Sequence, residues 1–178
     1  MGGGIIGVLN GLVAIARGAK SVAIMDVSQD RIDLLAKLGL PFEHYVNSAT
    51  TDSVKWVDKW TEGRGVDAVV VAASVTSIVP IALKMLGRSG HLSIFAGMSK
   101  SAPSEMIDLN IIHYPELHVH GANSSVLRDY IEARDLLASG TIDGKALITH
   151  VFPLEEFNEA FATQQNPSAG SLKVVLRP

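Results

Sequence analysis

The chain has 178 residues, 47% of them apolar and only 19% charged, with a formal net charge of −3. That supplies a sizeable core and excludes disorder, and the charge balance gives no footprint for nucleic acid or an anionic membrane surface. Cysteine is absent, which excludes a disulfide framework and a thiolate zinc site and fits a reducing, cytoplasmic setting. The first residues show no basic segment leading into a signal-type apolar run, and the apolar stretches are of strand length, too short to cross a bilayer.

Along the chain, strand-length apolar runs alternate with helical segments, the rhythm of βα units on a mostly parallel sheet. Met1-Gly2-Gly3-Gly4 passes directly into an apolar helix over about Ile5 to Arg17, stopped by Gly18. A buried strand from Ser21 to Met25 ends at Asp26, and Ser28 is a suitable N-cap for a helix to about Leu38. His44 to Val46 reads as a short strand, and Asp52 to Thr61 as a helix with Val54 and Val57 on one side, Trp56 and Trp60 on the other. Asp67 to Ala73 is a valine-rich strand of the kind covered on both faces. Ser77 to Leu86 is helical, with Pro80 tolerable only near the first turn. Strands follow at His91 to Phe95 and Leu117 to His120, then an amphipathic helix from Val126 to Ala138. Beyond Gly144 the rhythm changes. Leu147 to Phe152 is extended, about Leu154 to Gln164 is helical, and Leu172 to Leu176 is a last strand.

Gly2-Gly3-Gly4-Ile5-Ile6-Gly7 matches G-x-G-x-x-G. In that pattern Gly2 makes the tight turn, Gly4 lets backbone approach a pyrophosphate, and Gly7 allows close helix–strand packing. The N-terminus of the following helix offers free N–H groups to the phosphates. Glycines at a chain start also arise as plain turns, so the match alone is weak. Asp26 strengthens it: 19 residues beyond Gly7, at a strand end, it stands where an acid accepts bonds from the adenosine ribose hydroxyls. A carboxylate there repels a 2′-phosphate, which predicts NAD over NADP. Arg31 bears on the same choice, since a guanidinium could accommodate that phosphate; with Asp26 present it is read as lying over or beside the adenine.

His118 and His120 share one strand face at i, i+2, so a metal pair is conceivable. No cysteine and no obvious third ligand joins them, and ordinary strand or surface histidines are the preferred reading. The expected metal set is therefore none. The sequence contains no G-x-S-x-G elbow and no acid–base pair, so no catalytic residue is assigned.

The segments GGGIIG, SVAIMDVSQDRIDLLAKLG, TEGRGVDAVVVAAS, LGRSGHLSIFAG, DLNIIHYPELHVHGANSS, LLASGTIDGKALITHVFPLEEFNEAF and LKVVLRP, in that order, resemble medium-chain zinc-dependent alcohol and polyol dehydrogenases of the sorbitol (iditol) and threonine type. The resemblance covers almost the whole chain. It implies an α/β Rossmann fold, a doubly wound parallel sheet with its first strand largely missing. Residues 1–144 would be an N-terminally truncated dinucleotide-binding domain, and 145–178 a C-terminal segment of a catalytic domain otherwise absent. It further implies Gly4, Ile5 and Ile6 along the pyrophosphate, and Asp26 and Arg31 flanking the adenosine. Ala96, Gly97 and Met98 would approach the nicotinamide side, as would Gly121, Ala122 and Asn123, whose backbone groups could hold the carboxamide.

Three positions depart from the family pattern. Ile5 stands where proline is usual, Ala73 and Ser74 where a glycine is common, and Leu40-Pro41-Phe42 where a Gly-Ala-acid run is common. In the family, zinc acts as a Lewis acid on the alcohol, and its ligands belong to an N-terminal domain. A chain without them is expected to be inactive alone. In the strand order 3-2-1-4-5-6 the first strand is central, and only Met1 remains where it should lie. Each backbone group left buried and unpaired would cost about 1–3 kcal/mol, so low stability is expected for the isolated chain. Two other readings compete: a stand-alone non-catalytic nucleotide-binding module, and part of a zinc-free quinone or enoyl reductase. A homodimer is expected through the edge strand Leu117 to His120.

Overall fold

The computed structural model describes residues 1–166 and 170–178. Its elements run α1 (Ile5–Ala16), β1 (Ala23–Asp26), α2 (Gln29–Lys37), β2 (His44–Asn47), α3 (Ser53–Trp60), β3 (Val66–Val71), α4 (Ile78–Met85), β4 (Leu86–Ile94), α5 (Asn110–His113), β5 (His118–Gly121), α6 (Leu127–Ala138), β6 (Ile148–Pro153), α7 (Phe157–Gln165) and β7 (Lys173–Arg177). Short 3₁₀ turns at Lys145–Leu147 and Leu154–Glu156 precede β6 and α7. This is the alternating α/β order of a Rossmann-type domain. Among the described residues no helix is long and apolar enough to cross a membrane.

The chain forms two compact units, one of Met1–Gly2 with Asn47–Ser124, the other of Gly3–Val46 with Ser125–Pro178. In the first, β3, β4 and β5 form a parallel sheet in that order, with Val69 opposite Leu92 and Leu92 opposite Val119. One face carries Val69, Val71 and Leu92, all buried, and α4 packs on β3 and β4 through the buried Val79, Ala82 and Leu83. Pro80 is the third residue of α4, within the first turn where its missing N–H is harmless. Val57 of α3 is 1% exposed, as the helical spacing requires.

Met1 lies against β3. Its terminal ammonium donates to the Val70 carbonyl at 2.6 Å, and its own carbonyl accepts the Ala72 N–H at 2.8 Å. A single residue thus makes the two hydrogen bonds that a neighbouring strand would make. Gly2 follows at φ +104°, and a Cβ there would lie 3.0 Å from the Ala72 carbonyl oxygen. The position therefore demands glycine for conformation and for space.

In the second unit, β1 pairs with β2, and β6 pairs in parallel with β7. Its core joins Val8 and Leu12 of α1, Ile24 of β1, Leu35 of α2 and Phe42 to Ile142, Leu147 and Leu172. Gly7, Val8, Gly11 and Leu12 are the buried positions of α1, one stripe at i, i+4 spacing. Six of the eight cluster residues fall within predicted elements or at their ends; the others are Ile142, between predicted elements, and Phe42, in the Leu40-Pro41-Phe42 departure, the aromatic that fills the space beside α1.

Some element boundaries differ from the sequence reading. β4 begins five residues earlier than the predicted strand, because Leu86 already pairs with Val66 ahead of a register shift between Val66 and Ala68. The four-residue α5 was not predicted; Asp108 accepts the Asn110 N–H at 2.9 Å and starts it. α6 forms over the predicted residues, yet Leu127, Tyr130 and Leu137 on it remain exposed.

Candidate functional site

The glycine turn and the acid predicted to work with it meet in the second unit. The Gly3 N–H donates to Asp26 Oδ2 at 2.7 Å, and the Ser28 N–H donates to Asp26 Oδ1 at 2.9 Å. Both carboxylate oxygens are thereby oriented by backbone, and the half-buried side chain retains acceptor capacity for further donors. Ser28 in turn caps α2, its hydroxyl accepting the Arg31 N–H at 3.3 Å. The strand end, the helix start and the glycine turn therefore hold one another.

Gly4 is the N-cap of α1, with no side-chain cap and no acidic residue in the first turn. Its backbone carbonyl accepts the Val8 N–H at 3.0 Å. The N–H groups of the first turn, including those of Ile5 and Ile6, have no intrahelical acceptor by the geometry of any helix start. By contrast α2 and α3 carry Ser28 and Asp52 as side-chain caps. A Cβ on Gly4 would meet nothing within 4 Å, so the space above this helix start is open. Open space, free N–H groups and a nearby oriented carboxylate fit a pyrophosphate and its ribose. Gly7 is buried on α1.

The sequence reading passed over Gly3. A Cβ there would lie 3.0 Å from Arg31 Cγ, 3.1 Å from Leu35 Cδ1 and 3.2 Å from Asp26 Cβ. The x of the motif is thus packed against the acid that the motif serves, a fact carried by tertiary contact rather than by spacing. The Arg31 stem packs against Gly3, as Asp26 does, while its guanidinium donates to the Ser171 carbonyl.

The two turns expected at the nicotinamide side lie in the first unit, at the C-terminal end of its parallel sheet. Val71, Ile94 and Gly121 align across β3, β4 and β5, and Ala96, Gly97 and Met98 follow β4 while Ala122 and Asn123 follow β5. The Ala96 N–H donates to the Val71 carbonyl at 2.9 Å and the Ala122 N–H to the Ile94 carbonyl at 3.1 Å, which fixes where both turns leave the sheet. Gly97, Gly121, Ala122 and Asn123 are exposed and Met98 is half-buried. C-terminal strand ends are where ligands bind in open α/β sheets.

The structure brings a third imidazole, which the sequence does not make obvious, beside His118 and His120. The parallel register sets His91 directly opposite His118, so three imidazoles share one sheet face. A sequence separation of that size carries no spacing signal, and only strand pairing reveals it. Two shallow clefts of about 310 and 230 Å³, lined respectively by residues such as Lys55, Arg64 and Lys84 and by Asp30, Asp33 and Lys37, include none of the glycine-turn residues.

A parallel α/β fold with a glycine-lined helix start and an acid at the next strand's tip defines the nucleotide-binding Rossmann class. Residues 6–139 match the family model described as zinc-binding dehydrogenase, and the chain belongs to that family. It is 33% identical to 2-dehydro-3-deoxy-L-galactonate 5-dehydrogenase of Pseudoalteromonas atlantica, over 98% of this chain and 49% of the relative. It is 32% identical to L-threonine 3-dehydrogenase of Bacillus licheniformis, over 100% of this chain and 50% of the relative. A zinc-binding dehydrogenase from Sinorhizobium meliloti, solved bound to NADP, superposes with a TM-score of 0.84 at 25% identity, covering 99% of this chain and 50% of that one. The chain thus spans about half the length of the curated relatives it matches.

The chain has no cysteine, so it offers no thiolate ligand for a zinc ion. Among the described residues His91, His118 and His120 are the one group of three or more potential ligands close enough to share an ion.

Proposed function

We propose that this chain is the NAD-binding portion of an alcohol or polyol dehydrogenase that oxidises a secondary alcohol to a ketone. The observation that carries the reading is the Asp26 carboxylate, oriented by the Gly3 and Ser28 amides beside an uncapped helix start. Gly4, Ile5 and Ile6 bind the pyrophosphate through backbone, with Gly2 making the turn and Gly7 the close packing that the cofactor-binding motif requires. Asp26 accepts the adenosine ribose hydroxyls, and the Arg31 stem borders the adenine. Ala96, Gly97, Met98, Gly121, Ala122 and Asn123 supply backbone contacts to the nicotinamide end. When bound, the nicotinamide supplies the hydride acceptor; the residues of this chain bind and orient, and none of them transfers a proton.

Residues 1–144 form the dinucleotide-binding portion, and 145–178 a segment of a second domain, held here to α1 and α2 through Leu147 and Leu172. The chain alone turns over no alcohol. It acts in the cytoplasm as a homodimer, paired through β5, the edge of its sheet, where Val119 is 42% exposed.

NAD is preferred to NADP because a 2′-phosphate would approach the Asp26 carboxylate, and the Arg31 guanidinium that could offset it is engaged by Ser171. Calorimetric titration of the chain with each cofactor tests this. Tighter NAD binding is expected. Tighter NADP binding would refute the cofactor choice, and binding of neither would refute the dinucleotide reading of this chain.

A further inference from the structure

We propose that His91, His118 and His120 form a binding site for a zinc-class divalent metal ion, a clip across strands β4 and β5. The backbone makes the arrangement. His91 pairs with His118 and Ser93 with His120 in the parallel register, and side chains two residues apart on a strand share a face. All three imidazoles therefore project from one side of the sheet. Leu92, between them in register, points to the other side and is fully buried.

The distances suit the chemistry. His91 Nδ1 and His120 Nε2 are 3.3 Å apart. Two nitrogens bound to one tetrahedral zinc at ~2.05 Å are separated by ~3.3 Å. One potential ligand nitrogen from each of the three histidines lies within 4.8 Å of the others. The rings already lie nearly parallel, at 4.5 Å between centroids for His91 and His118 and 5.5 Å for His91 and His120. All three side chains are exposed, so the imidazoles can turn toward one ion without disturbing the core. Three neutral imidazoles are a donor set for zinc, nickel or copper rather than magnesium or calcium, and they leave a fourth position for water. The ion would tie the edge strand β5 to its neighbour by a bond outside the hydrogen-bond ladder.

Zinc chloride titrated calorimetrically into the full chain, stripped with EDTA, is the direct test. One zinc per chain is expected. Each of His91→Gln, His118→Gln and His120→Gln should weaken binding at least tenfold, since even partners of zinc ligands change affinity by about 10–100-fold. His150→Gln, at a histidine stacked on Phe152 in the other unit, should leave binding unchanged. Cobalt substituted for zinc should give visible bands that the His118→Gln chain loses. No binding at millimolar zinc, or binding indifferent to the three substitutions, would overturn the site. So would one zinc per two chains accompanied by zinc-dependent dimers, which would assign the imidazoles to a contact between copies.

Discussion

The Gly3 amide donates to the Asp26 carboxylate at 2.7 Å, so the turn that would cradle phosphates and the acid that would grip the ribose are one hydrogen-bonded unit. Removing the carboxylate therefore acts twice. Asp26→Ala deprives the Gly3 and Ser28 N–H groups of their acceptor and deletes the proposed ribose contact. NAD affinity should fall about 10–100-fold, the equivalent of about 1–3 kcal/mol for lost hydrogen bonds to a charged group. Stability should fall by about 1–2 kcal/mol as well. Calorimetry and urea denaturation read the two effects separately. Unchanged NAD affinity in a folded variant would remove Asp26 from the site.

Gly3 and Gly4 are adjacent but should respond in opposite ways to the same substitution. At Gly3 an added methyl meets Arg31, Leu35 and Asp26 at 3.0 to 3.2 Å, and Leu35 is fully buried and cannot swing away. Gly3→Ala should cost about 1–3 kcal/mol of stability, the usual range for overpacking. At Gly4 the methyl meets nothing, and its φ of −70° is open to any residue. Gly4→Ala should leave the urea midpoint nearly unchanged while NAD binding falls at least tenfold, because the methyl stands where the pyrophosphate must approach. If Gly4→Ala binds NAD like the parent, the phosphates do not cross this helix start.

Much of this was legible in the sequence because local signals carry it. Ser28 announces α2 as its cap, the valine run announces β3, and the spacing from Gly7 announces Asp26. What was not legible depends on strand pairing. His91 joins His118 only through the parallel register of β4 and β5. Leu86 enters β4 only because Val66 pairs with it. The Gly3 contacts belong to the same class, since Arg31, Leu35 and Asp26 reach it from β1 and α2. The exposed apolar residues of α6 follow the predicted amphipathic pattern, and nothing among the described residues covers Leu127 or Tyr130.

Gly65 and Gly87 set a second steric limit, where β3 and β4 begin side by side. Gly65 has φ +72°, and a Cβ there would fall on the backbone of Gly87; a Cβ on Gly87 would fall on the Arg64 carbonyl. Backbone cannot swing aside as a side chain can. Gly65→Ala and Gly87→Ala should each lower stability by about 2–3 kcal/mol. Gly140→Ala supplies the comparison: its φ is +74°, but the space around it is open, so it carries only the left-handed backbone cost of about 1–2 kcal/mol. Equal losses at Gly65 and Gly140 in urea would show that conformation alone, rather than crowding, limits the β3–β4 start.

The N-cap of α3 should give the chain part of its acid sensitivity. Asp52 accepts the Val54 and Lys55 N–H groups at 3.1 and 3.2 Å, and the Lys55 ammonium lies 3.5 Å from its other oxygen. Its carboxyl is held below the usual carboxylate range, first by the Lys55 backbone N–H, with dehydration opposing and the Lys55 side chain adding to the effect. A carboxyl whose folded pKa lies below its unfolded value binds fewer protons in the native state. Its stabilisation is complete above the unfolded value of about 3.9 and is lost as pH falls through the lower folded value. Asp52→Ala should therefore be less stable than the parent at neutral pH, and the gap should narrow on acidification below about pH 4. Urea midpoints of both chains from about pH 6 to about pH 2.5 measure it. A gap that stays constant across that range would mean that the charge of Asp52 contributes nothing to the cap.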